Sequence, residues 1–266
     1  MTSTYILNTN DKARERLSLQ HQLYAKSSLD LLAEIGFPRK MTALEIGCGS
    51  GDMTLELAKL IGPEGSLLTI DLSQDQLDHT QQRTRTYSNI RFKVWDVNHL
   101  SDLGEKFDLI YCRMVLHHVA DARSVILQMK NCLNSGGFVV CEEPSLFDST
   151  FCSPPSPSYD QFTQWAKSCF SKSNRDFQVA HRLEQEFSSC GFEIEHCSLF
   201  QPLLRANKEK LIYSMALDDL TPQLLELGIA KREEIEQLHD ELEDLAKTNS
   251  TMCWIRMHRI IAKRNE

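Results

Sequence analysis

The first part of the chain alternates short apolar runs with longer segments of helical periodicity. Each apolar run has about five residues, which is typical of strands buried on both faces of a parallel sheet. The segments between them are long enough for the crossovers that parallel pairing requires, so the pattern predicts repeated βαβ units. The predicted strands are residues 42–46, 66–70, 90–94, 107–111 and 137–141. The predicted helices are residues 52–60, 74–86 and 122–133.

Helical periodicity also precedes and follows this part of the chain. Residues 11–34 carry leucines spaced between polar residues, which predicts an amphipathic helix or helix pair that Gly36 and Pro38 end. Three prolines among residues 153–158 predict a loop without sheet pairing. Beyond that loop, the pattern predicts two helices and then a strand, at residues 158–169, 176–190 and 192–200.

The C-terminal region combines an acidic helical segment with a final alternating run. Thr221 and Pro222 predict an N-cap and a first helical position, and Gly228 interrupts the helical region that follows. Residues 252–262 alternate as a strand does. If this strand joins the sheet, the helices between residues 208 and 247 form an insertion before it.

The composition favours a soluble globular protein of the cytoplasm. For 266 residues, one large α/β domain, or one such domain plus a small appendage, is the ordinary expectation. The N-terminus lacks the features of a secretory signal, and no apolar run approaches the roughly 18 residues of a membrane span. A formal net charge of −8 disfavours nucleic acid as a partner, because it would repel phosphates. Nine cysteines without a CxxC pair predict reduced thiols rather than a zinc site.

The first predicted strand leads into a glycine-rich turn, residues 47–51, and a helix begins at Asp52. Glycines let the chain turn sharply and let a ligand approach the backbone closely. A dinucleotide-binding turn would place glycine or alanine at position 52, where a carboxylate opposes a pyrophosphate. The ammonium and sulfonium groups of S-adenosylmethionine are cationic, so they tolerate both Asp52 and Glu45. The turn therefore favours S-adenosylmethionine.

Two further acids stand at the ends of the next predicted strands. Asp71 lies 20 residues beyond Gly51, where a carboxylate can accept hydrogen bonds from both ribose hydroxyls. The alternative for Asp71 is a helix N-cap. Asp96 ends the third strand, where it can accept the adenine amino group while Val97 packs on the ring. The acids and the glycine turn together predict an adenosine site at one edge of the sheet.

Five segments resemble the successive motifs of class I S-adenosylmethionine-dependent methyltransferases: LEIGCGSG, TIDLS, VWDV, FDLIYCRMVLHHV and LNSGGFVVCEEP. The resemblance covers residues 43–144 and is greatest to the small-molecule branch, which includes the ubiquinone and menaquinone biosynthesis enzymes and relatives from secondary metabolism. It implies an α/β fold with a Rossmann-like, doubly wound sheet of seven strands, the last antiparallel. We expect an N-terminal helical cap at residues 1–40 and a methyltransferase domain at residues 41–266, with cap segments at about 145–175 and 208–250.

The resemblance also implies which residues hold S-adenosyl-L-methionine and its product, S-adenosyl-L-homocysteine. The first motif serves the methionine amino end and the glycine turn, and the next two serve the ribose and adenine. A residue after the fourth strand borders the methionine moiety, and one in the N-terminal helix reaches its end. In this order the residues are Glu45; Gly47, Cys48, Gly49 and Gly51; Asp71, Leu72, Asp96 and Val97; Arg113; and Gln20.

Methyl transfer from a sulfonium is an in-line displacement, so alignment of the acceptor can supply most of the catalysis and a base is optional. His117 follows the fourth strand, on the sulfur side of the cofactor, and is the candidate base. The alternative is that His117 packs against the sheet. Glu142 and Glu143 close the fifth strand, where one can orient the substrate. The sequence offers no acid cluster for a metal, so none is expected.

These observations predict methyl transfer to a small-molecule acceptor, under a roof of the N-terminal helices and the segments after Pro144. Two alternatives stay open: a protein or RNA methyltransferase, and a regulatory protein that binds the cofactor without turnover. We expect a monomer or a homodimer. Aromatic residues of the roof suit a planar or apolar acceptor, although each can equally belong to a helix core: Phe147, Phe151, Tyr159, Phe162, Trp165, Phe170 and Tyr213.

Overall fold

The computed structural model describes residues 11–36, 40–146, 150–173 and 175–265. Its strands are β1 (Thr42–Ile46), β2 (Ser66–Asp71), β3 (Ile90–Val94), β4 (Phe107–Arg113), β5 (Leu133–Ser145), β6 (Cys152–Ser153), β7 (Phe192–Phe200), β8 (Leu203–Leu204), β9 (Thr251–Cys253) and β10 (Arg256–Arg264). Its α-helices are α1 (Asp11–Ala33), α2 (Asp52–Ile61), α3 (Gln74–Arg83), α4 (Ala122–Cys132), α5 (Pro157–Ser171), α6 (Leu183–Ser189), α7 (Asn207–Lys210), α8 (Ile212–Glu226) and α9 (Arg232–Lys247).

Seven of the strands form one sheet in the order β3-β2-β1-β4-β5-β10-β7. Neighbouring strands from β3 to β5 pair in parallel, whereas β10 pairs antiparallel with both β5 and β7. The predicted seven-stranded sheet with an antiparallel last strand is therefore confirmed. The carboxyl ends of β1 to β5 meet at one edge, which is where ligands of open α/β sheets bind.

Apolar side chains alternate between the two faces of this sheet. On one face, Leu67 and Leu109 pack with Leu32 of α1 and Leu57 of α2. On the other face, the strands pack against α4 and α6. A third cluster joins α5, α8 and α9 to the short strand β9. No helix in the described part of the chain is long and apolar enough to cross a membrane.

The predicted beginning of a helix at Thr221 is wrong. Both Thr221 and Pro222 lie inside α8. The Thr221 hydroxyl donates to the carbonyl of Leu217 one turn earlier, at 2.9 Å, so it bonds back into its own helix instead of capping a new one. The helix ends at Glu226, and Gly228 follows it with a φ of +61°.

Two further sequence predictions are corrected at the C-terminal and proline-rich segments. The predicted last strand is divided, because the chain leaves β9 after Cys253 and enters the main sheet at Arg256. Between them, the Trp254 N–H donates to the Pro202 carbonyl instead of to a sheet neighbour. The proline-rich loop also takes part in pairing, since β6 joins β9 and β8 in a second sheet. Pro38 lies outside the described residues.

Candidate active site

The glycine turn after β1 has a left-handed backbone that favours glycine. Gly47, Gly49 and Gly51 have φ values of +78°, +51° and +80°. A Cβ on Gly47 would stand 2.8 Å from Cγ2 of Val115, and one on Gly51 would stand 2.7 Å from the Thr80 side chain. These two glycines thus bring the turn into close contact with the loop after β4 and with α3. At Gly49 a Cβ would have only Leu17 of α1 near it, at 3.9 Å, so this glycine has room on its α1 side.

Glu45 is a buried carboxylate beneath the turn. Its Oε2 accepts hydrogen bonds from the hydroxyls of Thr54, at 2.6 Å, and Thr69, at 3.0 Å. Its Oε1 is buried and has no hydrogen-bond partner among the described residues. Burial raises the pKa of Glu45 to about 7. A buried acceptor without a partner is costly, so this oxygen suits a ligand that brings a donor, and a cationic donor best.

Asp71 stands at the end of β2, beside the turn, and is 6% exposed. Its Oδ1 accepts from the Ser73 N–H at 2.9 Å, and its Oδ2 lies 3.4 Å from the Gly49 nitrogen and 3.6 Å from Sγ of buried Cys48. The N-cap of α3 is Ser73, so the N-cap alternative for Asp71 is wrong. Burial raises the pKa of Asp71. Leu72, next along the chain, is 40% exposed, and such a surface can receive an apolar ring.

The structure places Asp96 and Val97 just beyond the end of β3. Asp96 caps the 3₁₀ turn Val97–Leu103, because its Oδ1 accepts from the Asn98 N–H at 2.9 Å. Val97 is buried in the core cluster on the α4 face of the sheet. Asp71 at the end of β2 and Asp96 after β3 therefore lie at the same edge of the sheet, on adjacent strands. Of the two apolar residues, Leu72 is more exposed than Val97.

The negative charge of Asp52 opposes a pyrophosphate less than the sequence suggests, because Asp52 is already paired with an arginine. Its Oδ1 lies 2.7 Å from Nη2 of Arg83, and the same guanidinium donates to the Ser50 carbonyl. Although burial opposes ionisation, the hydrogen bonds from Arg83 and Ser50 lower the pKa of Asp52. Arg83 on α3, which sequence reasoning did not single out, balances the carboxylate at the beginning of α2. Asp52 therefore discriminates weakly between the two classes of cofactor.

Arg113 ends β4 beneath α1. Its guanidinium lies 3.3 Å from both the Ser28 hydroxyl and Nδ1 of His21. Burial first, and the Arg113 charge second, lower the pKa of His21 to about 4, which leaves that ring neutral. In the sheet register, Glu142 of β5 lies between Arg113 of β4 and Arg259 of β10. Arg259 belongs to a strand that is distant in sequence, so only the fold reveals this charged row.

Helix α1 also brings Gln20 to the same edge. The Gln20 amide nitrogen lies 2.9 Å from Sδ of Met114, which directly follows β4 and has a φ of +58°. Gln20 Oε1 accepts from Arg16 at 3.1 Å, and Arg16 is also paired with Asp219 of α8. A chain of polar contacts thus links the loop after β4 through α1 to the insertion before the last strand. Gln20 is positioned beside this loop, and its role at the methionine end of the cofactor stays a prediction.

His117 lies in the loop after β4 and is held by Glu143. The ring Nδ1 is 2.7 Å from Oε2 of Glu143, and the ring stacks on Phe177 with centroids 5.0 Å apart. The His118 ring also contacts the His117 ring, and the centroids of these two rings are 3.9 Å apart. The side chain of His117 is only 7% exposed, so it both packs and makes a directed hydrogen bond. The sequence signal for the partner was the acidic end of β5.

In the described part of the chain, one buried group of side chains has metal-ligand chemistry: Cys112, Cys141 and Glu143 have ligand atoms within 4.8 Å of one another. The Glu143 carboxylate, however, already accepts from His117 and from the backbone N–H groups of Val115 and Leu116. Burial raises the pKa of Cys141 well above its usual value, which disfavours the thiolate that binds metals. These contacts fit a structural role.

Three of the seven residues of the predicted aromatic roof belong to a packed core. The Tyr213 ring is 5.2 Å from the rings of both Tyr159 and Phe162 and 4.9 Å from Trp254. Its hydroxyl donates to the Cys253 carbonyl. For Tyr159, Phe162 and Tyr213 the helix-core alternative is therefore correct. Trp165 and Phe170 are partly buried, Phe151 is 45% exposed, and Phe147 lies outside the described residues.

Comparison with known proteins gives a family match and several structural relatives. The sequence model of a methyltransferase domain family matches residues 18–197. Over 126 residues the chain is 30% identical to a demethylmenaquinone methyltransferase of Staphylococcus aureus, a match that covers 47% of this chain and 51% of that protein. The chain thus spans about half the length of the curated relatives it matches.

Two solved structures share the fold at low sequence identity. A protein of Bacillus halodurans superposes with a TM-score of 0.60 at 16% identity, over 91% of this chain and 100% of that one. The N-methyltransferase NodS of Bradyrhizobium japonicum superposes with a TM-score of 0.54 at 17% identity, over 96% of this chain and 99% of that one. At these identities the likeness concerns the fold alone.

Proposed function

Since the chain belongs to the family of S-adenosylmethionine-dependent methyltransferases, we propose that it binds S-adenosylmethionine at the carboxyl edge of β1 to β4 and transfers its methyl group to a small-molecule acceptor. The observation that carries the proposal is the placement of buried Glu45, with an unpartnered Oε1, beside the glycine turn and Asp71. The Glu45 carboxylate suits the ammonium group of the cofactor, the glycine turn lets the cofactor approach the backbone, and Asp71 suits the ribose hydroxyls.

In this proposal Glu45, Gln20 and Arg113 serve the methionine end of the cofactor. Glu45 supplies a carboxylate oxygen for the ammonium group, while Arg113 and Gln20 supply cationic and amide N–H donors for the carboxylate. Arg113 suits this role, because its hydrogen-bond partners among the described residues are a hydroxyl and a neutral ring.

The turn and the next strand ends serve the nucleoside. Residues 47–51, with Cys48 buried among them, let the cofactor approach the backbone, and Asp71 accepts from the ribose hydroxyls. Leu72 and Val97 cover the adenine, and Asp96 accepts from its amino group through the oxygen that does not cap the turn.

When bound, the cofactor supplies an electrophilic methyl group on a sulfonium. The chain's own contribution is to align the acceptor with it and to exclude water, which can account for most of the rate enhancement. His117 follows β4 at the sulfur end, and its Nδ1 is engaged by Glu143. This leaves Nε2 as the atom that takes a proton from an acceptor hydroxyl or amine.

A small-molecule acceptor is favoured over a macromolecule on two grounds. The relative with 30% identity is a demethylmenaquinone methyltransferase, which acts on a small molecule. In addition, α1 and the α8 insertion are joined over the site by the Arg16–Asp219 ion pair, and a covered site suits a small acceptor. The net charge of −8 opposes binding of nucleic acid.

The proposal is tested by incubating the protein with methyl-labelled S-adenosylmethionine and separate metabolite, peptide and RNA fractions. We expect label in a small molecule, and little transfer by the Asp71→Asn variant at limiting cofactor. Label in macromolecules alone would contradict the small-molecule acceptor. Binding without transfer to any fraction would favour a regulatory protein.

A further inference from the structure

Arg175 lies in the segment between α5 and α6, next to the candidate base. The following residue, Asp176, donates its N–H to the carbonyl of His117 at 3.1 Å. Phe177 then stacks on the His117 ring, with an angle of 28° between the ring planes. Two consecutive residues thus anchor this segment to the loop after β4, and Arg175 stands immediately before the anchor.

The Arg175 guanidinium has no acidic partner among the described residues. Its Nε is buried and makes no hydrogen bond there, and burial lowers the pKa of Arg175. Two other arginines with largely buried side chains are paired with acids: Arg83 with Asp52 and Arg16 with Asp219. A partly buried cation without an anion is costly. Its presence therefore calls for an anion that the described residues do not supply.

The charge of Arg175 acts on the histidines of the loop after β4. The pKa of His118 is lowered, first by desolvation of its ring and then by the charges of His117 and Arg175. The His118 ring is tilted by 40° against the His117 ring, with centroids 3.9 Å apart, so Arg175 influences a contacting pair of imidazoles in this loop. Phe170 and Phe177 are in edge-to-face contact at 4.8 Å, and Phe177 stacks on His117, so they add apolar surface beside the candidate base.

We propose that Arg175 is a specificity-determining residue that binds a carboxylate of the methyl acceptor. The inference rests on the proposed function and deepens it. A guanidinium presents a planar pair of N–H donors that matches a carboxylate. One guanidinium also neutralises the single negative charge of a carboxylate, whereas one of the two negative charges of a phosphate dianion would stay unneutralised. The aromatic surface beside Arg175 fits an aromatic acid that carries its nucleophilic hydroxyl or amino group towards His117.

The test uses benzoate as a simple carboxylate probe and benzamide as its neutral counterpart. Each is titrated by calorimetry and by NMR into the full chain, with and without saturating S-adenosylhomocysteine. We compare wild type with Arg175→Gln and Arg175→Lys. The matched control is Arg182→Gln, because Arg182 lies in the same segment but is exposed and paired with Asp176.

We expect benzoate to bind wild type more tightly than benzamide does. Arg175→Gln should weaken benzoate binding about tenfold or more, since a charge-assisted hydrogen bond is lost. Arg175→Lys should recover part of it, and Arg182→Gln should change nothing. Equal benzoate affinity in wild type and Arg175→Gln, or no benzoate binding at all, would overturn the proposal. If the wild-type protein does not bind S-adenosylhomocysteine, that result contradicts the proposed function. The benzoate titration in the absence of S-adenosylhomocysteine then still tests the role of Arg175.

Discussion

Oε2 of Glu143 lies 2.7 Å from Nδ1 of His117, and the other oxygen of the same carboxylate accepts the N–H groups of Val115, at 2.8 Å, and Leu116, at 2.7 Å. One buried acid therefore shapes the loop after β4 and orients the ring within it. When Nδ1–H donates to this carboxylate, the lone pair of the neutral imidazole is on Nε2. This arrangement combines the packing and catalytic alternatives for His117.

Replacing His117 with Ala tests whether Nε2 takes a proton from the acceptor. We expect turnover to fall about 100-fold or more, because general-base catalysis contributes on that order. Steady-state kinetics at saturating S-adenosylmethionine would measure the loss, and cofactor affinity should stay the same. Unchanged turnover would return His117 to a packing role.

Glu143→Gln should destabilise the chain even in the absence of ligand. An amide keeps one acceptor oxygen but turns an NH₂ group towards donors, so at least one buried N–H loses its partner. We expect a loss of about 1–3 kcal/mol in the free energy of unfolding, measured by urea denaturation. The exposed acid Glu193 of β7 offers the control, and Glu193→Gln should cost little. Equal stability of the two variants would mean that Glu143 does not hold the loop.

Glu45 should make cofactor binding pH-dependent. Burial raises its pKa to about 7, so the free protein carries this carboxyl protonated in weakly acidic solution and ionised above neutrality. The ionised form attracts the ammonium group. The affinity for S-adenosylhomocysteine should therefore rise by up to about tenfold between pH 6 and pH 8, and binding near pH 7 should release protons. Glu45→Gln should flatten this dependence. A wild-type profile that the variant reproduces would exclude Glu45 as its cause.

The close contact at the glycine turn predicts unequal effects of two similar substitutions. Gly51 and Gly104 both have a left-handed backbone, with φ and ψ of +80° and +9° and of +68° and +15°. A Cβ would clash with Thr80 at Gly51, at 2.7 Å, but would meet nothing within 4 Å at Gly104. Gly104→Ala should cost about 1 kcal/mol for the backbone alone. Gly51→Ala should cost more and should also weaken S-adenosylhomocysteine binding. Equal costs in thermal denaturation would contradict the contact.

Sequence periodicity predicted the parts of the fold that depend on local pattern. The bounds of β1, β3 and β7 agree with the predictions, because buried strands and their turns leave a short-range signal. Thr221 and Pro222 misled the prediction, since their N-terminal preference is a local signal that the packed helix α8 overrides.

The contacts that give the site its charges are non-local, which is why the sequence did not show them. Asp71 and the glycine turn stand in consecutive motifs, and motif spacing was enough to place them together. The Arg83 partner of Asp52 and the Arg259 neighbour of Glu142 depend on helix packing and strand register. That Arg175 has no acidic partner among the described residues can be recognised only from the positions of those residues in the fold.

The most direct measurement of the central claim is a calorimetric titration of S-adenosylhomocysteine into wild type and Asp71→Asn, with Asp78→Asn on the exposed face of α3 as the control. We expect binding at a single site in wild type and in the control. We expect affinity to fall about tenfold to 100-fold in Asp71→Asn, where the ribose hydroxyls lose a charged acceptor. Equal affinity in Asp71→Asn, or binding of NAD in place of S-adenosylhomocysteine by the wild type, would contradict the central claim.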